Sequence, residues 1–352
     1  MVDQTGETQQ PLKVALIGTG YFGRFHYAAW QRMPDVQLVG LLTQDSAEAL
    51  EFQKVFGVEA IYRDEGELFD SDAILIDIVS PPHTHADFIH QCVQSQKAVV
   101  CQKPFCQSID EAIATVQYIQ NNDAFVVVHE NFRFQPWYEQ IKRLLDSNCL
   151  GDVYEISFNF RPGDGQGDNA YLDRQPYFQT QPRFFIQETG IHFFDVFRYL
   201  IGDITGVFAR LAKLNPVIAG EDAGMVIVEF ENGVRGLLNG NRLSDHAANN
   251  TRLTMGEMRI EGSDGVLTLD GDGVIRTRKQ GCSDAKAHDY QWQDIDFGAD
   301  CVYRTNRHIA DHLLNGLPIQ NLAEDYLQNR LVEEAVYLSD KTGQWTAVRQ
   351  RS

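Results

Sequence analysis

The chain has 352 residues, 43% of them hydrophobic and 22% charged, which is globular usage with room for two cores. No apolar run approaches the ~20 residues a membrane helix needs, and a formal charge of −19, from 49 acids against 30 bases, argues against binding a nucleic-acid duplex or an anionic membrane. Six cysteines (Cys92, Cys101, Cys106, Cys149, Cys282 and Cys301) are scattered without a CxxC pair or a histidine at zinc-ligand spacing, so free thiols in a reducing, cytoplasmic compartment and no metal site are expected.

The opening stretch Met1–Pro11 is polar and reads as a disordered leader, without the basic-then-apolar layout of a secretory signal. From Leu12 to Val128 short apolar runs alternate with amphipathic stretches. The runs Val14–Ile17, Val36–Leu42, Ala73–Val79, Ala98–Cys101 and Phe125–Val128 are nearly apolar throughout, the pattern of strands buried on both faces. Between them, Phe22–Gln31, Ser46–Phe56, His85–Gln96 and Ser108–Gln120 have helical periodicity. Ser46 and Ser108 stand as N-caps, and Glu111, three residues after Ser108, completes a capping box. Residues 12–130 are therefore expected to form an α/β Rossmann domain, a parallel sheet with helices on both faces.

Past about residue 150 the pattern changes. Val153–Phe160, Val207–Leu214, Met225–Phe230, Val234–Leu238, Arg252–Ile260, Val266–Leu269 and Gly273–Arg278 read as strands. Hairpin signals at Glu231-Asn232-Gly233, Ser263-Asp264-Gly265 and Asp270-Gly271-Asp272-Gly273 join several of them. A helix around Ile186–Leu200 interrupts the strands, and amphipathic helices follow at Tyr303–Leu314 and Leu322–Ser339. The expectation for 131–352 is an α+β substrate-binding and oligomerisation domain with an open-faced, mostly antiparallel sheet. Met225–Phe230 and Val234–Leu238 are apolar at positions of both parities, so the face that helices leave uncovered suits packing against a second copy.

Val14-Ala15-Leu16-Ile17 runs straight into Gly18-Thr19-Gly20-Tyr21-Phe22-Gly23. A lone GxGxxG is weak, but this one follows a buried strand, opens a helix and starts the alternating series, as a dinucleotide site requires. Gly18 permits the tight turn, Gly20 lets backbone N–H groups approach a pyrophosphate, and Gly23 lets the helix pack on the sheet. Tyr21 and Phe22 line the same loop. The second strand ends Leu41-Leu42-Thr43-Gln44-Asp45, so Thr43 stands where a ribose-binding carboxylate is usual. Nothing there repels a 2′-phosphate and no arginine attracts one. NAD and NADP both stay open, with a slight lean to NAD.

Three more motifs join the glycine loop: Val79-Ser80-Pro81-Pro82-His83-Thr84-His85, Cys101-Gln102-Lys103-Pro104-Phe105 and Glu188-Thr189-Gly190-Ile191-His192. Together, in this order and spacing, they resemble the Gfo/Idh/MocA family of oxidoreductases over residues 12–348. The resemblance implies a nicotinamide cofactor at Gly18, Gly20, Tyr21, Phe22, Gly23, Thr43, Ser80, Pro81, His85, Gln102 and Lys103. It implies hydride transfer at a hydroxyl of a sugar, polyol or sugar acid, and dimers or tetramers built through the second-domain sheet. Lys103 matches the family's catalytic lysine, and the turn at Lys103-Pro104 implies a cis bond. Gln102 departs from the glutamate expected before it. Glu188 and His192, four residues apart, match an Asp and His pair; on an α-helix they would share one face. Asp195 and Arg198 are read as structural.

The proton of the substrate hydroxyl then passes to Lys103 or His192, and the sequence leaves open which acts first. Glu188 would hold the imidazole or bind a hydroxyl. Arg133, Arg161 and Arg183 are candidate substrate ligands, and two of them converging would favour a carboxylate-bearing substrate. Two rival readings keep the fold: transient oxidation by a tightly bound NAD, as in glycosidases and epimerases, and a non-catalytic dinucleotide-binding regulator.

Overall fold

The computed structural model describes residues 10–349, so the expected leader lies, up to residue 9, outside the described residues. The chain divides into two compact units. The first runs through Glu130 and takes in Val302–Leu327; the second comprises Asn131–Cys301 and the residues from Gln328 onward.

In the first unit the elements follow as β1 (Leu12–Ile17), α1 (Gly23–Gln31), β2 (Val36–Leu42), α2 (Ser46–Phe56), β3 (Ala60–Ile61), α3 (Glu65–Phe69), β4 (Leu75–Ile78), α4 (His85–Gln94), β5 (Ala98–Gln102), α5 (Ile109–Asn121) and β6 (Val126–His129). The six strands are all parallel, in the order β3-β2-β1-β4-β5-β6. Strand order reverses between β1 and β4, and at such a switch point the two connecting loops diverge and leave a crevice at the strands' carboxyl ends. The continuous apolar runs are explained by burial on both faces: every residue of β4 and β6 is buried. Asp45, rather than the expected Ser46, caps α2, accepting from Ala47 and Glu48 N–H. Ser108 caps α5 as expected, while Glu111 reaches back one residue further, to Gln107 N–H.

The second unit contains α6 (Pro136–Asp146), β7 (Val153–Phe160), α7 (Ile191–Ile201), β8 (Ile204–Ala212), β9 (Ala223–Phe230), β10 (Arg235–Asn241), β11 (Gly256–Gly262), β12 (Gly265–Leu269), β13 (Ile275–Lys279), β14 (Lys286–Ala287), most of α9 (Ala323–Thr342) and β15 (Thr346–Ala347), with α8 (Cys301–Asn315) preceding α9 in the chain. Its nine-stranded sheet has the order β14-β13-β12-β11-β7-β10-β9-β8-β15, antiparallel except where β10 runs parallel to β7. Gly233 (φ +83°) and Gly273 (φ +80°) close two of the three expected hairpins in a backbone region side chains disfavour. One sheet face packs Phe158, Val226, Val228 and Leu238 against Phe193, Val196 and Phe197 of α7. On the other face, Met225 is 58% and Ile227 43% exposed, and Ile227 pairs across the strands with Leu237 and Phe208.

The domain boundary needs a correction. Residues 131–352 were expected as one block, yet α8 belongs to the first unit: Ile309 and Ala310 are fully buried in a core with Val14, Leu75 and Val127. His129 Nε2 donates to Asn306 Oδ1 at 2.8 Å, and Asn321 Nδ2 donates to the Glu130 carbonyl at 2.9 Å. An amphipathic helix announces that it has an apolar face but not which sheet that face covers.

The connection from β7 to α7 holds a small core of its own: Ala170, Tyr171, Phe178 and Phe184 with Ile218. Buried Arg242 organises it. Its guanidinium donates to Asp164 at 3.1 Å, Tyr171 Oη at 2.8 Å and Thr189 Oγ1 at 2.8 Å, and lies 4.7 Å from the Phe184 ring centre. Burial works to raise the Asp164 carboxyl, but Arg242 and Arg174 outweigh it and hold it below its ordinary value. A depressed folded value means the stabilisation is present above the unfolded carboxyl range and is lost as pH falls through the folded value. Asp164→Asn should destabilise by about 3–5 kcal/mol in urea unfolding near neutral pH. The difference from the parent should shrink below pH ~4; a pH-independent difference would count against the ion pair as its source.

Candidate active site and dinucleotide cradle

β1 ends at Ile17 and the chain turns at Gly18, whose φ of +104° suits glycine. A Cβ there would also stand 2.9 Å from Ser80 N, so the two turns leaving β1 and β4 are in backbone contact. A Cβ on Gly20 would meet nothing within 4 Å, whereas one on Gly23 would touch Val79 Cγ2 at 3.4 Å. Gly20 thus faces open space and Gly23 faces packed protein. The loop delivers the chain into α1 at Gly23, with Tyr21 47% exposed beside it. An open, side-chain-free approach to a helix N-terminus fits a pyrophosphate, which backbone N–H groups and the helix dipole would hold.

At the end of β2, Thr43 Oγ1 lies 3.0 Å from Thr19 Oγ1, and Thr19 donates to Glu48 Oε2 at 2.6 Å. Asp45 is engaged in capping α2. The carboxylate beside Thr43 therefore comes from the first turn of α2 and not from the strand end.

The other expected cofactor residues are largely committed to internal contacts. Ser80 Oγ meets Thr84 Oγ1 at 2.7 Å, and Pro81 leads into a short 3₁₀ turn. His85 is fully buried, with Nε2 2.9 Å from the Ser80 carbonyl and Nδ1 3.1 Å from the Pro104 carbonyl. Burial pushes its pKa down, which favours the neutral ring that bonds one of the two carbonyls. It braces one turn against another. Gln102 is likewise buried, with its amide nitrogen on His26 and its oxygen on Lys103 N–H. Lys103 follows β5 directly, half-buried, and the Lys103–Pro104 bond is cis, as the resemblance implied.

In the second unit, the expected α-helix around Ile186–Leu200 begins as a π-helix, Phe185–Gly190, before α7. Glu188 lies in the π turn and His192 in α7, so the i to i+4 rule that placed them on one face does not apply there, where the repeat is i to i+5. Two residues that the sequence did not flag hold this turn: Glu221 Oε1 accepts from Phe184 and Ile186 N–H at 3.2 and 3.1 Å, and Arg242 holds Thr189. His192 is 5% exposed and stacks on Phe132 with ring centres 3.9 Å apart.

Each of the three candidate arginines has partners within the protein. Arg133 forks onto buried Asp195 at 2.8 and 2.7 Å, and Arg183 pairs with Glu334. Arg161 donates to the Phe160 and Asn239 carbonyls at 2.8 and 2.6 Å, and burial lowers its pKa. Arg133 and Arg183 are thus each paired to a carboxylate of the protein itself. Asp195 and Arg198 are structural, as read: both bond Asn329, at 2.7 and 3.0 Å. Among the described residues no group of three or more His, Cys, Asp or Glu is placed to hold a metal, and no helix is long and apolar enough to cross a membrane.

Residues 12–130 match the model of an oxidoreductase family with an NAD-binding Rossmann fold, and 138–268 match the C-terminal domain of the same family. The chain belongs to the Gfo/Idh/MocA family. Among its Gfo/Idh/MocA relatives is D-apiose dehydrogenase of Paraburkholderia graminis, 29% identical over 97% of this chain and 91% of the relative. Myo-inositol 2-dehydrogenase of Thermotoga maritima is 24% identical over 77% of this chain and 79% of its own. A solved oxidoreductase from Agrobacterium radiobacter, in complex with NAD+, L-tartaric acid and magnesium, superposes with a TM-score of 0.88 at 25% identity, covering 96% of this chain and 99% of that one.

For this family member, Gly20→Leu should abolish dinucleotide binding in calorimetry while leaving thermal unfolding nearly unchanged, because the added side chain enters open space. Retained affinity would show that the pyrophosphate does not pass there.

Proposed function

We propose that this chain is an NAD-dependent dehydrogenase that oxidises a hydroxyl-bearing carbon of a sugar, polyol or sugar acid. The observation that carries the reading is the open cradle at Gly20 on the carboxyl edge of the sheet from which Lys103 emerges. Support for the substrate class comes from the relatives, whose names specify apiose and inositol, and from a neighbour that holds NAD+ with tartaric acid. When bound, the nicotinamide supplies the hydride acceptor. The proton leaving the hydroxyl goes to Lys103 or His192, and Glu188 orients the substrate or the imidazole. Phe132, flat against His192, limits the ring's rotation. Arg161, with no carboxylate among its hydrogen-bond partners, is the arginine best suited to a substrate oxygen.

Glu48 supports NAD over NADP. Its carboxylate, held on Thr19 next to Thr43, can accept from a ribose hydroxyl and repels a 2′-phosphate. All six cysteines are free thiols, which fits a reducing compartment and a cytoplasmic enzyme. The apolar row Phe208–Ile227–Leu237 on the exposed sheet face fits a second copy of the chain, giving a homodimer or a homotetramer.

In assays against a panel of sugars, polyols and sugar acids, NAD should be preferred to NADP, and Glu48→Gln should narrow that preference. Lys103→Ala should lower turnover by at least ~100-fold with little change in NAD affinity, and His192→Ala should also lower it. Normal turnover by both variants would remove them from the proton path. Ile227→Lys should convert the oligomer to monomer in light scattering; a parent protein that is already monomeric would refute the assembly.

A further inference from the structure

A run of wholly buried polar groups in the first unit ends on the backbone of Lys103. Asp77 sits in β4, a strand buried on both faces, where a carboxylate is costly unless it is paired. Its Oδ2 accepts from Trp30 Nε1 at 2.7 Å and lies 2.8 Å from His26 Nδ1. His26 Nε2 is 2.9 Å from Gln102 Nε2, and Gln102 Oε1 is 2.6 Å from Lys103 N. Asp77 and His26 are 0% exposed and Gln102 is 9%.

Donor and acceptor rules leave this chain one arrangement. The Lys103 N–H can only donate, so the Gln102 oxygen faces it and the Gln102 NH2 faces His26. A ring nitrogen that receives an N–H carries no proton, so His26 Nε2 is the acceptor. Nδ1 therefore holds the hydrogen and donates it to Asp77. Burial works to raise the Asp77 carboxyl, but His26 above all, with the Trp30 hydrogen bond, holds it below its usual value, so the terminal acceptor is a carboxylate. The groups around His26 bring no competing charge. His129, from β6, lies with its ring centre 4.0 Å away and is pushed down to about 3 by burial and then by His26. The Tyr27 hydroxyl and the Cys101 thiol are both raised by burial and stay neutral. Phe22 and Trp30 supply only ring and indole.

We infer that Gln102 is a positioning residue for Lys103: the Asp77–His26 pair fixes the direction of the Gln102 amide, and the amide fixes the direction in which Lys103 leaves β5. The inference rests on the reading of Lys103 as a proton-transfer group. It goes beyond that reading by placing the determinant of its aim in a buried polar relay.

Two variants separate this from a merely structural role. Gln102→Met removes both hydrogen bonds. Gln102→Glu keeps the acceptor for Lys103 N–H but turns the group facing His26 Nε2 from donor to acceptor, which only a doubly protonated His26 can satisfy. In histidine-labelled parent protein, nitrogen NMR should show His26 protonated at Nδ1 and bare at Nε2, the signal being assigned by its loss in His26→Gln. In Gln102→Glu both nitrogens should be protonated. The Lys103 amide should exchange slowly with solvent in the parent and in Gln102→Glu, and faster in Gln102→Met. In turnover, Gln102→Met should lower kcat about 10–100-fold with KM and NAD affinity unchanged, as for a misplaced group. Gln102→Glu, which keeps the acceptor for Lys103 N–H, should retain more of the parental kcat than Gln102→Met. A parent His26 protonated at Nε2, or parental kcat in Gln102→Met, would overturn the inference. If Gln102→Met does not fold, the parent tautomer and the Gln102→Glu nitrogen signals decide. Failure of the dehydrogenase reading would show separately, as no turnover by the parent, while the NMR and exchange results still judge the relay.

Discussion

At Gly18 two backbones touch. The turn leaving β1 lies so close to the turn leaving β4 that a single methyl group would meet the Ser80 nitrogen at 2.9 Å, and much of the first unit's working edge depends on that approach. It is possible because β1 and β4 are neighbours whose connections depart in opposite directions. It is kept in place from both sides: the Tyr27 hydroxyl donates to the Gly18 carbonyl at 3.2 Å, and the Gly18 N–H reaches the Leu42 carbonyl at 2.8 Å. His85 then braces the Ser80 turn to the Pro104 turn, linking the glycine loop, the second motif and the lysine turn through side chains that never meet solvent.

Two buried polar networks, one in each unit, do similar work. Asp77, His26 and Gln102 reach the Lys103 backbone; Arg242, Asp164 and Thr189 reach the π turn that carries Glu188. An apolar core of the same volume could be at least as stable, since desolvating charges costs several kcal/mol. What hydrogen-bonded groups add is direction. Each donor has one acceptor it can face, so the backbone at the end of each network is held in one orientation where apolar contacts would tolerate several.

The parallel sheet was legible because strands buried on both faces leave an unbroken apolar signature, and the glycine loop because its context is local. The features that were not legible are set by contacts distant in sequence. The four-residue spacing of Glu188 and His192 satisfies an α-helix as it stands; the π register depends on Glu221 and Arg242, more than thirty residues away. α6, which the sequence analysis did not name, opens on Pro136, and proline is well tolerated in a helix's first turn. Asp77 did carry a signal: a carboxylate inside Leu75-Ile76-Asp77-Ile78 must have a buried partner, and His26 on the inward side of α1 was the histidine to test.

Net charge bears on the same edge. The chain carries −19, and a pyrophosphate is anionic, so capture at the glycine loop would work against the long-range field. Arg24, near the start of α1, is paired with Glu51 at 3.0 Å. The backbone donors of the loop and the positive end of α1 are left as the main attraction, and both act over short range. Under that constraint an unobstructed Gly20 matters more than a nearby cation, because a donor that cannot come within hydrogen-bond distance contributes little. The additional phosphate of NADP would need an attraction of its own. Thr19, Thr43 and Glu48 offer it two hydroxyls and a carboxylate. On this electrostatic ground the proposed choice of NAD is made by repulsion of the competitor as much as by contacts to the preferred cofactor.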